Sequence, residues 1–448
     1  MTDTHRRSFL ATTGAVCLGA LAGCTGDDGS GNGNGNADGN GNGNGNGNGD
    51  GNGNGDGNGN GNGNGSTPEE RTIGIGTLLP ASGELAGIGS TMVDAADLAF
   101  STVDEESEYF SVDPMFGDSQ STPDDGISTA NNLANAGIPA VVGGAATNVH
   151  IPASEQVFVP NGMTACSPSA TAVSITNIDD NDLLFRTTPS DALQGRVMAK
   201  YSTENLGAET AASLYVNDDY GQVLSAEFVK SFEDMGGTVQ QEVSYETEAA
   251  SYTSRIEQAV QDDPDLLAVI GYAESGIKLF RDYYAQFSAD RDILTVDGLN
   301  TARVPNEVGE EMDNVTGTAP LSDGPGLDAF ASMYEEAFDT EPGPFNPQTF
   351  DAAAVLMLAN AAAGENDGEA ISEQMREVAN DGDMQVTPQN LAEGVDAAAE
   401  GEDVRYEGAS SLVQFDENGD LDTGAYEIWK YAPETERGIE TIEEIVVE

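Results

Sequence analysis

Several short stretches of this 448-residue chain have the residue types to do chemistry. The run "DENGDLDTGAYE" spaces Asp416, Asn418, Asp420, Asp422 and Glu427 as the oxygen ligands of a calcium loop are spaced. That loop needs a glycine where Leu421 stands, and Asn418-Gly419 is a ready hairpin turn, so a turn is expected and no metal. Gly74-Ile75-Gly76 starts like a phosphate-cradling fingerprint, but Leu79 occupies the place of its third glycine. Nucleophilic catalysis lacks its parts. His150 is the single histidine beyond the N-terminal segment, is expected on a helix surface, and no Gly-x-Ser-x-Gly elbow occurs. Carboxylates are so abundant that spacing between any two is uninformative. Asp297 stands apart because it follows an apolar strand-like run, Ile293–Val296, and precedes Gly298. No enzyme activity and no cofactor are expected.

The charge balance narrows the partners. Asp and Glu total 78 against 16 Lys and Arg, a formal net charge of −62, which nearly excludes nucleic acid because phosphate binding wants a basic footprint. The acids are spread along the chain and lysine is scarce, a pattern that resembles proteins of extreme halophiles. In about 1 M salt the screening length is only about 3 Å, which relieves the self-repulsion. The cysteines are Cys17, Cys24 and Cys166. Arg6-Arg7 followed by a short apolar stretch resembles a twin-arginine export signal, and Leu21-Ala22-Gly23-Cys24 resembles a lipobox. Residues 1–23 are expected to be the signal and Cys24 the lipidated start of the mature chain. That leaves Cys166 alone, a buried small hydrophobe with no intrachain disulfide. Residues 24–68 are dominated by alternating Gly and Asn and cannot bury enough to order, so they read as a flexible tether with a reach of roughly 35 Å. The expected address is the cell surface, on the outer face of the cytoplasmic membrane. Asn64 and Asn314 begin weak glycosylation sequons.

Beyond residue 68, short apolar runs alternate with amphipathic stretches, the pattern of a parallel α/β fold. "RTIGIGTLLP", "IPAVVGGAAT", "TAASLYVNDDYG" and "DLLAVIGY" read as strands running into loops. "AAAVLMLANAAAG" (352–364) reads as a buried helix too short to span a bilayer. Two successive α/β blocks imply two lobes, and in open α/β sheets ligands bind beyond the carboxyl ends of strands. "IGIGTLLPASGELAGIG", "VVGGAATNVHIPASE", "GMTACSPSAT", "LYVNDDYG", "LAVIGY" and "FDENGDLDTGAYEIWKY", in this order, resemble the substrate-binding proteins of ABC importers in the leucine/isoleucine/valine family. The resemblance covers about residues 71–431.

That resemblance implies a type I periplasmic-binding fold. It has two lobes, each a parallel sheet flanked by helices, joined by three crossover strands that act as a hinge. The first lobe would take 69–189 plus 320–422, and the second 190–319 plus 423–448. It implies a receptor that captures an amino acid or a related small polar ligand and delivers it to an ABC permease. A surface sensing or adhesion module, or a receptor for amides or urea, is the alternative. Carried over by motif position, Thr147, Ser169 and Thr171 would meet the ligand carboxylate; the bland alternatives are an N-cap for Thr147 and turn residues for the other two. Asp297, Tyr220 and Tyr272 would meet the ammonium, or the tyrosines simply pack at the lobe surface. Two departures bear on specificity: Ile88 stands where the family has an aromatic, and the family's first-lobe disulfide pair is missing.

Overall fold

A computed structural model describes residue 68 and residues 70–421, 423–435 and 437–447. The expected signal, Cys24, Asn64 and all but the end of the tether lie outside the described residues. Strands β1 (Arg71–Leu79), β2 (Phe110–Asp118), β3 (Ala140–Gly143), β4 (Thr164–Ser167) and β5 (Leu184–Arg186) form a parallel sheet in the order β2-β1-β3-β4-β5. The chain continues with β6 (Thr210–Val216), β7 (Thr238–Tyr245), β8 (Leu266–Ile270), β9 (Asp292–Thr295) and β10 (Val315–Pro320). A small parallel pair, β11 (Met384–Val386) and β12 (Val404–Tyr406), follows, and then β13 (Gly424–Tyr431) and β14 (Ile439–Val447). The second sheet has the order β14-β13-β10-β9-β8-β6-β7.

The expected two-lobed fold of parallel sheets holds, with one refinement at the edge of this sheet. β13 runs antiparallel to both β10 and β14, so the second sheet is mixed. β13 and β14 are joined by a short connection, which permits an antiparallel hairpin; a parallel pair would need a long crossover. Elsewhere β3 and β8 are buried at every position, as parallel strands covered on both faces must be.

Each sheet has its own apolar core. The helix Asn346–Ala363 runs through the first and is buried along nearly its whole length. It starts earlier than its apolar run suggests, because Pro347 is tolerated in a first turn where its missing N–H has no partner to lose. No described helix is long and apolar enough to cross a membrane. Cys166 is free and buried, and burial pushes its thiol pKa up.

The chain crosses between the lobes after β5, after β10 and before β13. Beside the first and third crossings lies a buried ion pair. Arg186 Nε meets Asp420 Oδ1 at 2.5 Å and Nη2 meets Oδ2 at 2.8 Å, while Nη1 donates to the Ala172 carbonyl at 3.1 Å. The run "DENGD" closes as a turn there, with Asp416 Oδ1 accepting from the Asn418 and Asp420 amides at 2.7 and 3.0 Å. Asp420 is thus committed to Arg186, and Glu427 on β13 to Asn300, so these acids of the calcium-like run have other partners. Asp420→Ala would strand the guanidinium of Arg186, which is 1% exposed. We expect a loss of about 3–5 kcal/mol by urea unfolding; a loss under about 1 kcal/mol would show the pair to be dispensable.

Candidate functional site

In each sheet the strand order turns about one strand. β1 has β2 on one side and β3 on the other; β6 has β7 and β8. Loops leaving such neighbours diverge and open a crevice at the carboxyl ends. A cleft is lined from both crevices. The first lobe contributes Pro80 after β1, Ala145, Ala146 and Thr147 after β3, and Ser169 after β4. Leu85, Ile88 and Met92 add an apolar strip at the start of the helix Ala86–Glu106, and Phe345 closes it from just before the helix Asn346–Ala363. The second lobe contributes Tyr220 after β6, Tyr272 after β8, and Asp297 and Gly298 after β9.

Local chemistry fixes these loops. Asp218 Oδ1 accepts from the Gly221 amide at 2.9 Å, capping the helix Asp219–Asp234 and placing Tyr220 in its first turn. Its Oδ2 accepts from the Tyr272 hydroxyl at 2.7 Å, tying the β6 and β8 loops together. Gly221 is required there, since a Cβ would lie 2.1 Å from the Val216 carbonyl oxygen. A Cβ on Gly298 would lie 2.3 Å from the Gly271 carbonyl oxygen, so glycine lets the Asp297 loop approach the Tyr272 loop. The Tyr220 and Tyr272 rings stack, with centroids 5.7 Å apart and planes at 19°. Phe345 is held at φ 60°, a left-handed conformation unusual for a bulky residue and of the kind stored at ligand clamps.

Asp297 is the electrostatic centre. It is 6% exposed, and burial raises its pKa. Donors oppose that rise: Gln194 Nε2 to Oδ1 at 2.7 Å, and the Tyr220 hydroxyl at 3.2 and 3.4 Å to the two oxygens. Tyr220 and Tyr272 are pushed well above the usual tyrosine range by burial, so they remain neutral donors. No Lys or Arg lines the cavity among the described residues. The first-lobe part of the lining includes two hydroxyl residues, Thr147 and Ser169. The Ser169 hydroxyl donates to the Ala145 carbonyl at 2.9 Å, whereas the Thr147 hydroxyl is buried without a partner. The Val149 amide of the helix that Thr147 begins donates to the Ala146 carbonyl at 3.0 Å, which leaves the Thr147 and Asn148 amides as the donors of this wall.

The structure brings five of the expected site residues, Thr147, Ser169, Tyr220, Tyr272 and Asp297, to one cavity. Thr171 is not among its lining residues; it lies buried, its hydroxyl unpartnered, and its carbonyl accepts from the Asp191 amide at 2.8 Å. Thr147 is not an N-cap, since Ala146 holds that position. His150 is not on a surface. Its helix is pinned inside the first lobe, both ring nitrogens are without partners, and burial together with the Arg186 charge lowers its pKa to about 4.

A model of the periplasmic binding protein family matches residues 72–419. The chain belongs to that family. Family members bind solutes and are not enzymes. The chain is 27% identical over 323 residues, 68% of its length, to 82% of a Leu/Ile/Val-binding protein homolog 1 of Brucella abortus. It is 23% identical over 381 residues, 82% of its length, to 88% of the chemotactic signal transduction system substrate-binding protein BasB of Halobacterium salinarum. The crystal structure of the branched-chain amino acid transporter substrate-binding protein LivJ of Streptococcus pneumoniae, in complex with isoleucine, superposes with a TM-score of 0.67 at 22% identity, over 84% of this chain and 99% of that one.

Within this periplasmic binding protein, sequence reasoning missed Gln194, the closest donor to Asp297, and the wall residues Met92 and Phe345. It also missed Asp191, at the start of the same helix as Gln194. Burial, opposed by the neighbouring Thr171 hydroxyl and aided by the Asp297 charge, pushes its carboxyl up to about 8. The folded value lies above the ordinary 3.8, so the fold favours the protonated form. That stabilisation is complete below about pH 4 and is lost as pH rises through about 8. Asp191→Asn should therefore gain on wild type across this window in urea midpoints; parallel pH profiles would refute the assignment.

Proposed function

We propose that the protein captures a small α-amino acid with an apolar side chain and delivers it to an ABC permease. The observation that carries this reading is Asp297, a buried carboxylate with neutral donors only, set opposite a wall of hydroxyls and first-turn amides. An ammonium completes the first and a carboxylate the second, so a zwitterion spans both. The stacked faces of Tyr220 and Tyr272 add cation–π attraction for the ammonium. Leu85, Ile88, Met92 and Phe345 would take the side chain, and Ile88 in place of an aromatic leaves room for a branched aliphatic group. The names of the Brucella and Streptococcus relatives agree with this ligand class.

In a thermal-shift screen in molar salt, leucine, isoleucine or valine should raise the melting temperature, because a ligand that binds only the folded state stabilises it by mass action. A response to urea or simple amides alone would transfer the assignment to the alternative ligand class. Asp297→Asn should weaken the amino-acid response at least tenfold in affinity by calorimetry, and unchanged affinity would remove Asp297 from the site.

We further propose that residues 1–23 direct export, that Cys24 carries a lipid, and that 24–68 tether the two lobes, split as 69–189 plus 320–422 and 190–319 plus 423–448, to the outer face of the cytoplasmic membrane. Cys24→Ala should release the protein into the medium, where immunoblotting of cell and medium fractions would find it; retention on cells would count against the anchor. The chemotactic relative of Halobacterium favours a second reading, in which the loaded receptor signals to a sensor. A deletion strain that loses amino-acid taxis and keeps uptake would select it.

A further inference from the structure

A hydrogen bond joins the two lobes beside the cleft. Glu84 lies in the loop after β1, in the first lobe, and its Oε2 accepts from the Ser275 amide at 2.9 Å, in the second. Ser275 is in the first turn of the helix Ala273–Tyr284, whose own N-cap residue, Tyr272, supplies no side-chain hydrogen bond. The Ser275 amide has no acceptor inside the helix, so Glu84 does from the opposite lobe what a capping side chain does from its own. Its charge also suits the positive end of that helix.

The arm that carries Glu84 is rigid. The Ser82 hydroxyl donates to Asp118 Oδ2 at 2.7 Å and the Ser82 amide to Oδ1 at 3.2 Å. The Ser121 hydroxyl donates to the Ser82 carbonyl at 3.0 Å and accepts from the Leu85 amide at 3.1 Å. Gly83 sits at φ 86°, and a Cβ there would lie 2.2 Å from the Gln120 carbonyl oxygen. The arm therefore moves with the first lobe as one body. Leu85, the next residue, lines the ligand cavity.

We infer that Glu84 is a positioning residue for ligand capture: a latch that engages the Ala273–Tyr284 helix only when the lobes close fully, and so couples ligand size to closure through Leu85. This rests on the amino-acid reading for its ligand and not for its contact. A side chain too large for the cavity displaces Leu85, and the rigid arm then carries Glu84 away from Ser275. Burial raises the Glu84 pKa, and the Ser275 bond works against that rise. A carboxylate is kept in a partly desolvated place because it is bonded there.

Two readouts test the latch. Hydrogen–deuterium exchange, resolved to the Ser275 amide, is read with the lobes held closed by saturating leucine or, where leucine does not bind, by whichever of urea and the simple amides raises the melting temperature. Ser275 should be protected in wild type and exchange at least tenfold faster in Glu84→Ala, with the amides further along the helix unchanged. With leucine as the probe, Glu84→Ala should shorten the bound lifetime about tenfold while the association rate stays within about twofold. Glu84→Gln, which keeps an acceptor oxygen without charge, should fall between. Equal Ser275 exchange in wild type and Glu84→Ala overturns the proposal, whatever leucine does. Failure of leucine and its relatives to bind any variant overturns the amino-acid reading instead, and the exchange result still decides the latch.

Discussion

The architecture depends on holding one acid, Asp297, nearly buried at the wall of the cleft. Its side-chain donors are neutral: the Gln194 amide and the Tyr220 hydroxyl. Dipoles held this way act strongly in a low-polarity wall, and they need no countercharge to do it. Each has been placed by something else. Tyr220 is set by the helix that Asp218 caps, and Tyr272 by its own bond to Asp218. Gln194 sits on the first helix after the first crossing and also donates to the Thr318 hydroxyl at 3.2 Å, on the strand that leads into the second crossing. The group that would recognise an ammonium is therefore braced by residues beside two of the three segments about which the lobes turn. Hinge and site share their supports.

The net charge of −62 does not govern this site. Exposed acids more than a screening length away contribute little even at moderate salt. Beside the cleft the balance is local: the Asp297 charge disfavours ionisation of the buried Asp191. Arg186, the nearby cation, is committed to Asp420 and to backbone carbonyls, so it braces the first crossing and does not neutralise the cleft.

Much of the fold could be read along the chain because its signals are local. The strands β3 and β8 are short apolar runs, and the helix through the first core has no polar face to hide. Asp297 could be found because it closely follows a strand, where such folds bind, and Tyr220 and Tyr272 because their motifs resemble those of a known family. What escaped depends on distant neighbours. The burial of His150 is decided by the elements packed around its helix, since an isolated Asn-Val-His run carries no sign of depth. Gln194 is one amide in an ordinary helix until the 103-residue separation from Asp297 is closed. Phe345 lies far along the chain, and its left-handed backbone has no glycine to announce it. The antiparallel β13 escaped because strand direction is set by the length of the connection and by pairing, which apolar periodicity does not encode.

The division of labour between the lobes explains why a receptor of this kind needs both. The second-lobe wall holds a carboxylate and two aromatic faces; the first holds hydroxyls, first-turn amides and an apolar strip. A ligand with one charged end gains full contact from one wall alone, whether the lobes are apart or together, and so does little to bias closure. Only differential affinity shifts such an equilibrium, and a tightly bound ligand with equal affinity for both arrangements shifts nothing. A zwitterion carrying an apolar group gains from the second wall only when the first has already been engaged, so its contacts are concentrated in the closed arrangement. Under the amino-acid reading proposed above, selectivity would come from geometry: the separation of Asp297 from the Thr147 wall would set the distance between the two charges, and the room beside Ile88 and Met92 the size of the group between them.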